Sequence, residues 1–337
     1  MMKIGILGCG KIVRVRHAPE CVANPQIELA GFFDIRIDRA KELTEEYGGR
    51  VYASVDEMLK DESIDGVIVC TSNKTHAEIT IKALRAGKHV LCEKPMCTSV
   101  KEALDMESNA NKVGKLLMIA HNQRFDQVHI RARELLQSGA IGKVLNFRTE
   151  FSHGGPEGWS IDTGNSWFFN KEEAFIGAMG DLGVHKIDLM RWFLEDEFIS
   201  ISASVVNMDK KDSSGDPAGI DDCGICILHS NTGVWGTITA SWCNYGTVNN
   251  STTFYGTEGV MTIAEPHSES SITINRGEET IEYRIKSQES SGVADAFADA
   301  VINEKGSPVS GYEGVQCMKV VLAALRSAED EKMIKIV

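Results

Sequence analysis

The sequence predicts an α/β half built on a doubly wound parallel sheet, followed by an α+β half built on a large, mostly antiparallel sheet. Three observations carry this. Over about the first 120 residues, short apolar runs alternate with amphipathic stretches of helical period. After about residue 122 that alternation stops. From 198 to 285 the pattern is strand after strand, with turn signals between several of them. The 337 residues suggest about two domains, at roughly 150 residues each. The change of pattern divides them into 1–122 and 123–337.

KIGILG, IELAGFF, GVIVC, KHVLC and KLLMIA are bounded by Gly, Asp or Lys and read as buried parallel strands. Between them, RIDRAKELTEEYG, THAEITIKALRAG and TSVKEALDMESNANKVG carry apolar residues at helical spacing, and each ends at a C-capping glycine. Strand–helix–strand repetition implies right-handed crossovers. Beyond 122, FDQVHIRARELLQSG reads as a helix and KVLNFRTEF as a strand. An irregular stretch rich in Gly, Trp and Asn follows, then a helix at GDLGVHKIDLMRWFL. The later strands are ISISASVVN, DDCGICILHS, GVWGTITASWC, STTFYGT, GVMTIA, SSITIN and TIEYRI. Turn signals SNTG, GTEG and NRGEE separate several of them. Helices at about 292–303 and 311–328 close the chain.

Composition narrows the function. Asp plus Glu is 48 against 35 Lys plus Arg, a net charge of −13, which argues against nucleic acid and anionic membranes as partners. No apolar run approaches the roughly 18 residues of a membrane span. The first strand starts almost at residue 1, and the nine cysteines are scattered and odd in number. Both features lead us to expect reduced thiols in the cytoplasm. Cys223 and Cys226 form a CxxC, but on a strand residues three apart point to opposite faces. No metal site is expected.

Chemistry gathers at the ends of the parallel strands. Gly8 permits a tight turn, Gly10 lets backbone approach a pyrophosphate, and the helix opening at Lys11 and Ile12 offers its N-terminus to the anion. Val13 stands where Gly or Ala usually completes this fingerprint. Asp34 follows 21 residues later at the end of GFFD, where a carboxylate accepts from an adenosine ribose and repels a 2′-phosphate. NAD is therefore expected, with NADP as the alternative because Arg36 and Arg39 lie nearby. The other reading of Asp34 is a helix N-cap. Thr71, Ser72 and Asn73 end another strand, with His76 on the next turn, so all four are placed to meet a cofactor. Glu93, Lys94 and Pro95 close the strand after that. Lys94 can place positive charge beside a developing alkoxide. Asp181 and His185, four apart on a helix, share one face, which suits a histidine general base oriented by a carboxylate; taken alone, the pair reads better as a helix N-cap and a half-buried histidine.

In this order, Gly8-Cys9-Gly10, Asp34, Thr71-Ser72-Asn73-Lys74-Thr75-His76, Glu93-Lys94-Pro95 and Gly180-Asp181-Leu182-Gly183-Val184-His185 resemble the glucose–fructose oxidoreductase / inositol dehydrogenase / rhizopine catabolism (Gfo/Idh/MocA) family. The likeness spans essentially the whole chain. Val13 and the IGAMGD segment depart from the family pattern, the latter suggesting a different wall near the substrate. The resemblance implies a Rossmann domain for the nicotinamide cofactor. It also implies a second domain whose open sheet exposes one face and commonly forms the oligomer interface, as a homodimer or homotetramer. Lys94, Asp181 and His185 match the family's catalytic trio: His185 takes the hydroxyl proton, Asp181 orients it, and Lys94 stabilises the alkoxide. Glu93 faces the ribose beside the nicotinamide. Asn122 and Gln123 fall where relatives place substrate contacts. In HGGPEGWSIDTGNSWFF, Trp159 and Asn165 are further candidates, with His153 and Trp167 beside them. A hydrophobic loop anchor is the other reading of both tryptophans. Trp242 suits either pocket wall or sheet packing. The implied activity is NAD(P)-dependent oxidation or reduction of a sugar, inositol or related cyclic polyol. A redox-neutral glycosidase or epimerase, and a non-catalytic cofactor-binding regulator, stand as alternatives.

Overall fold

Six short strands form the first sheet of the computed structural model, which describes residues 1–162, 166–264, 270–286 and 288–337. They are β1 (Met2–Leu7), β2 (Ile27–Phe33), β3 (Arg50–Val51), β4 (Gly66–Val69), β5 (His89–Cys92) and β6 (Leu117–Ile119). Their spatial order is β3-β2-β1-β4-β5-β6, and every pair is parallel. Val67, Ile68, Val69, Val90, Leu91 and Cys92 are fully buried, as strands covered on both faces require. The order reverses between β1 and β4, which opens a crevice at their carboxyl ends. The expected helices occupy Ile37–Tyr47, Asn73–Arg85 and Val100–Val113. Gly114 caps the last of them with φ of 63°, a left-handed conformation that glycine adopts without cost from a Cβ.

Among the described residues the second sheet has nine strands: β7 (Val144–Ser152), β8 (Phe198–Val206), β9 (Cys223–Ser230), β10 (Trp235–Ser241), β11 (Thr252–Gly256), β12 (Val260–Ile263), β13 (Ile272–Arg276), β14 (Glu279–Tyr283) and β15 (Ile334–Lys335). Their order is β14-β13-β12-β11-β7-β10-β9-β8-β15, and only β7 and β10 run parallel. The inner face is covered by the helix Val184–Leu194 and the long helix Gly311–Asp330. The former is buried nearly all round, as an element enclosed by others must be. The long helix also packs on Val100–Val113 and β6, so it belongs to both sheets' surroundings. On the outer face alternation leaves Ile225 and Ile227 about half exposed, at 52% and 49%, with Trp235 beside them on β10. Among the described residues no helix is long and apolar enough to cross a membrane.

Candidate active site

The loop after β1 is shaped by two glycines with different reasons. Gly8 has φ of +93°, and a Cβ there would lie 2.4 Å from the Cys70 carbonyl oxygen, so the protein itself demands glycine. At Gly10 a Cβ would meet no atom of the described residues within 4 Å. Its missing side chain leaves room on the cavity side, as close approach of a ligand needs. Asp34 ties this loop to the turn after β2: one oxygen accepts from Cys9 N at 2.6 Å and the other from Arg36 N at 2.7 Å. It is thus a brace across two strand ends and not a helix N-cap. Gly10, Lys11, Ile12, Thr71 and Asn73 line a cavity with an empty volume of about 1120 Å³, counting the part open to solvent.

Lys94, Asp181 and His185 line the same cavity. The Lys94–Pro95 peptide is cis. Lys94 Nζ donates to Asp181 Oδ1 at 2.8 Å and to its carbonyl oxygen at 3.0 Å. The second carboxylate oxygen accepts from Trp242 Nε1 at 3.1 Å. Both side chains of the ion pair are largely buried, so neither water nor salt weakens it much. Among the described residues His185 hydrogen-bonds through neither ring nitrogen, and its Nδ1 is enclosed. Nε2 is then the nitrogen that meets the cavity. Burial, reinforced by the Lys94 charge and by His121, holds the His185 pKa well below 6.5, so the ring is neutral at pH 7.

Behind this corner, Glu93 is buried with Oε1 2.7 Å from His17 Nε2 and Oε2 accepting from Lys94 N at 3.1 Å. Burial alone would raise its pKa, but His17, Arg16 and Lys94 outweigh it and hold the carboxyl at about 2. His76 sits between two carbonyl oxygens, Pro95 at 2.8 Å and Thr71 at 3.0 Å, and so braces β4's end against β5's. The opposite wall is aromatic. Trp159 meets Phe168 edge-on at 5.2 Å between ring centroids and His153 at 6.4 Å. His153 Nδ1 accepts from Gly155 N, so its neutral form carries the proton on Nε2. Trp167 stacks on Phe168 at 4.1 Å.

Two family models match the chain: an oxidoreductase family with an NAD-binding Rossmann fold over residues 2–121, and the GFO/IDH/MocA C-terminal domain over 129–262. The chain belongs to the GFO/IDH/MocA oxidoreductase family. Among its relatives, myo-inositol 2-dehydrogenase of Thermotoga maritima is 25% identical over 99% of this chain and 98% of its own. Glucose-6-phosphate 3-dehydrogenase of Bacillus subtilis is 30% identical over 66% of this chain; the match spans 62% of that relative's length. The aldose-aldose oxidoreductase of Caulobacter crescentus, solved with glycerol, shares the fold with a TM-score of 0.86 at 23% identity, over 99% of each chain.

Within this family member several expected placements change. Asp181 does not orient His185, because Lys94 and Trp242 take both carboxylate oxygens. Residues Met179–Gly183 also form a π turn, where the i,i+4 register of an α-helix does not hold. Glu93 lines the cavity but is held by His17. Ser72 does not line it; its hydroxyl donates to Glu173 at 2.6 Å, next to the Asn73 amide that donates to the Ala174 carbonyl at 2.8 Å. Arg39 lines it with its guanidinium on Asp162. Asn122 and Gln123 do not line it: their 3₁₀ turn packs against the helix Val184–Leu194. The neighbouring Arg124 is structural, bidentate on Asp188. Asn165 lies outside the described residues. Gly8 and Asp34 support the loop from below the cavity. Trp242 does not line the cavity; fully buried, it meets Phe168 and Phe169 edge-on and holds Asp181.

Sequence reasoning missed Arg16, Phe151, Asp162 and Ile176, which also line the cavity. Arg16 arrives on a π stretch, Val13–His17, for which no sequence signal exists. Among the described residues one buried group of potential metal ligands, His121, Asp188 and Cys317, has its Asp188 and Cys317 atoms engaged by arginines. Arg124 takes both Asp188 oxygens at 2.7 Å and Arg191 Nη1 points at Cys317 Sγ at 3.6 Å.

Proposed function

We propose that the chain is an NAD(P)-dependent dehydrogenase or reductase acting on a CH–OH group of a sugar, inositol or related cyclic polyol. The observation that carries this reading is the corner in which the Lys94 ammonium, fixed by Asp181, and the neutral His185 face one cavity. The cavity also fits a dinucleotide: Gly10 leaves space that no atom of the described residues fills, and Asp34 stands at the end of β2. Gly10, Lys11, Ile12, Thr71 and Asn73 would hold that cofactor, whose nicotinamide supplies the hydride acceptor or donor.

In the oxidation direction His185 Nε2 takes the hydroxyl proton while the Lys94 ammonium faces the oxygen as its charge develops. Asp181 holds Lys94 in place, and Trp242 holds Asp181. The aromatic wall of Phe151, Trp159 and Phe168 offers ring faces to the apolar side of a sugar, and the His153 Nε2 proton can donate to a hydroxyl. The two halves, 1–122 and 123–337, act as cofactor and substrate units. The exposed Ile225, Ile227 and Trp235 support association through the second sheet, which light scattering would detect as a dimer or tetramer. A panel of sugars, inositols and their glycosides with NAD and NADP, followed at the absorbance of reduced nicotinamide, tests the activity. Accumulation of reduced cofactor with a polyol is expected. Glycoside cleavage without net reduction, or no turnover in either direction, would overturn it.

A further inference from the structure

The turn after β2 carries two arginines whose surroundings differ. Arg36 is 58% exposed at its side chain and pairs with Asp38 in solvent. Arg39 is 14% exposed, and its Nη2 lies 2.6 and 2.7 Å from the two carboxylate oxygens of Asp162. Asp162 comes from the other side of the crevice, 123 residues along the chain. Both residues line the cavity. Each of the two guanidiniums thus already has a carboxylate, Asp38 for Arg36 and Asp162 for Arg39.

The hydroxyl and the phosphate forms of an adenosine ribose ask different things of such a turn. A 2′-hydroxyl needs only an acceptor, which in this fold a carboxylate after the second strand usually supplies. A 2′-phosphate brings about two negative charges and three acceptor oxygens, and binds well only where a guanidinium is free to fork onto it. We propose that Asp162 is a cofactor-specificity residue: by holding Arg39 it denies that guanidinium to a 2′-phosphate and keeps the chain on NAD. The assignment rests on reading the cavity as the dinucleotide site. It differs from the role of Asp34, since Asp162 acts through Arg39 and comes from the half of the chain that does not form the parallel sheet.

The test is binding, which needs no substrate. The full chain is titrated with NADH and with NADPH, following nicotinamide fluorescence excited through the tryptophans. The wild-type chain is expected to bind NADH more tightly. Asp162→Asn keeps the shape and removes the charge, and should raise the NADPH-to-NADH affinity ratio about tenfold. Adding Arg39→Ala to Asp162→Asn should abolish that gain. An unchanged ratio in Asp162→Asn, with both affinities kept or both lowered alike, would overturn the assignment, as would a gain that survives loss of Arg39. A wild-type chain that binds neither dinucleotide would overturn the cofactor reading itself, and this assignment with it.

Discussion

The two ends of the cavity are finished to different degrees. At the rim, polar groups have partners within the chain: Arg39 on Asp162, Ser72 on Glu173, Asn73 on the Ala174 carbonyl, Asp34 on two backbone N–H groups. At the reacting corner His185 has none, and its Nδ1 is enclosed without a hydrogen bond. Its Nε2 faces the cavity with no partner among the described residues, and that is where a second molecule can complete the structure. The rim seats the two halves on each other; the corner waits for a reactant.

Disabling the corner should have the largest effect. Lys94→Ala and His185→Ala should each lower turnover by about 10²–10⁴-fold, with dinucleotide affinity largely kept. Single-turnover rates and cofactor titration together check this; turnover that survives both changes would put the chemistry elsewhere. Beneath the corner, Lys186 is fully buried, with a 3.5 Å hydrogen bond to Thr252 Oγ1, and burial lowers its pKa to about 7. Lys186→Met should stabilise the fold by about 1–4 kcal/mol, as replacing uncompensated buried charge by apolar volume does, and denaturant melts would show it. A rim change should do less. Ser72→Ala should cost about 0.5–1.5 kcal/mol of stability and leave turnover within a fewfold of the parent, since it cuts one hydrogen bond remote from Lys94.

pH separates the same regions. Burial lowers the pKa of His76, His121, His129 and His185 in the folded chain, His129 to about 4. The unfolded chain takes protons at these positions below about pH 6.5 and the folded chain does not. Stability from their neutral burial is therefore complete above that pH and drains as pH falls through it towards 4 and below. Melting temperatures at pH 7.5 and 5 should differ in that direction, and equal values would contradict the burial argument. For the same reason the acid limb of kcat/KM for oxidation should fall below pH 6.5, because His185 stays neutral there.

Much of this molecule is legible locally. The first-sheet strands longer than two residues and the helices Ile37–Tyr47, Asn73–Arg85 and Val100–Val113 follow from apolar period and glycine caps, because a segment that must be buried on both faces has few alternative compositions; the six-residue helices Ala18–Ala23 and Val55–Lys60 give no such signal. The two-residue strands β3 and β15 were invisible, since two residues define no period. The π turns at Val13–His17 and Met179–Gly183 were invisible too: one inserted residue leaves the surrounding hydrophobic pattern intact. That is why the i,i+4 argument brought Asp181 to His185 when the fold gives it to Lys94. Asn122 and Gln123, placed by the resemblance, stand outside the cavity because the 3₁₀ turn Asn122–Phe125 carries them against the helix Val184–Leu194.

By itself the sequence determined the two kinds of sheet, the glycine loop, and the arrival of Lys94 at the carboxyl edge of the first sheet, because periodicity, φ preference and strand polarity are local properties; His185 joined it only through the family resemblance. The tertiary structure decided the partners. Asp181 meets Lys94 from 87 residues away and Trp242 from 61, and Arg39 meets Asp162 from 123. Hydrogen bonds and ion pairs form between groups a few ångströms apart, and only the packed chain sets which groups those are.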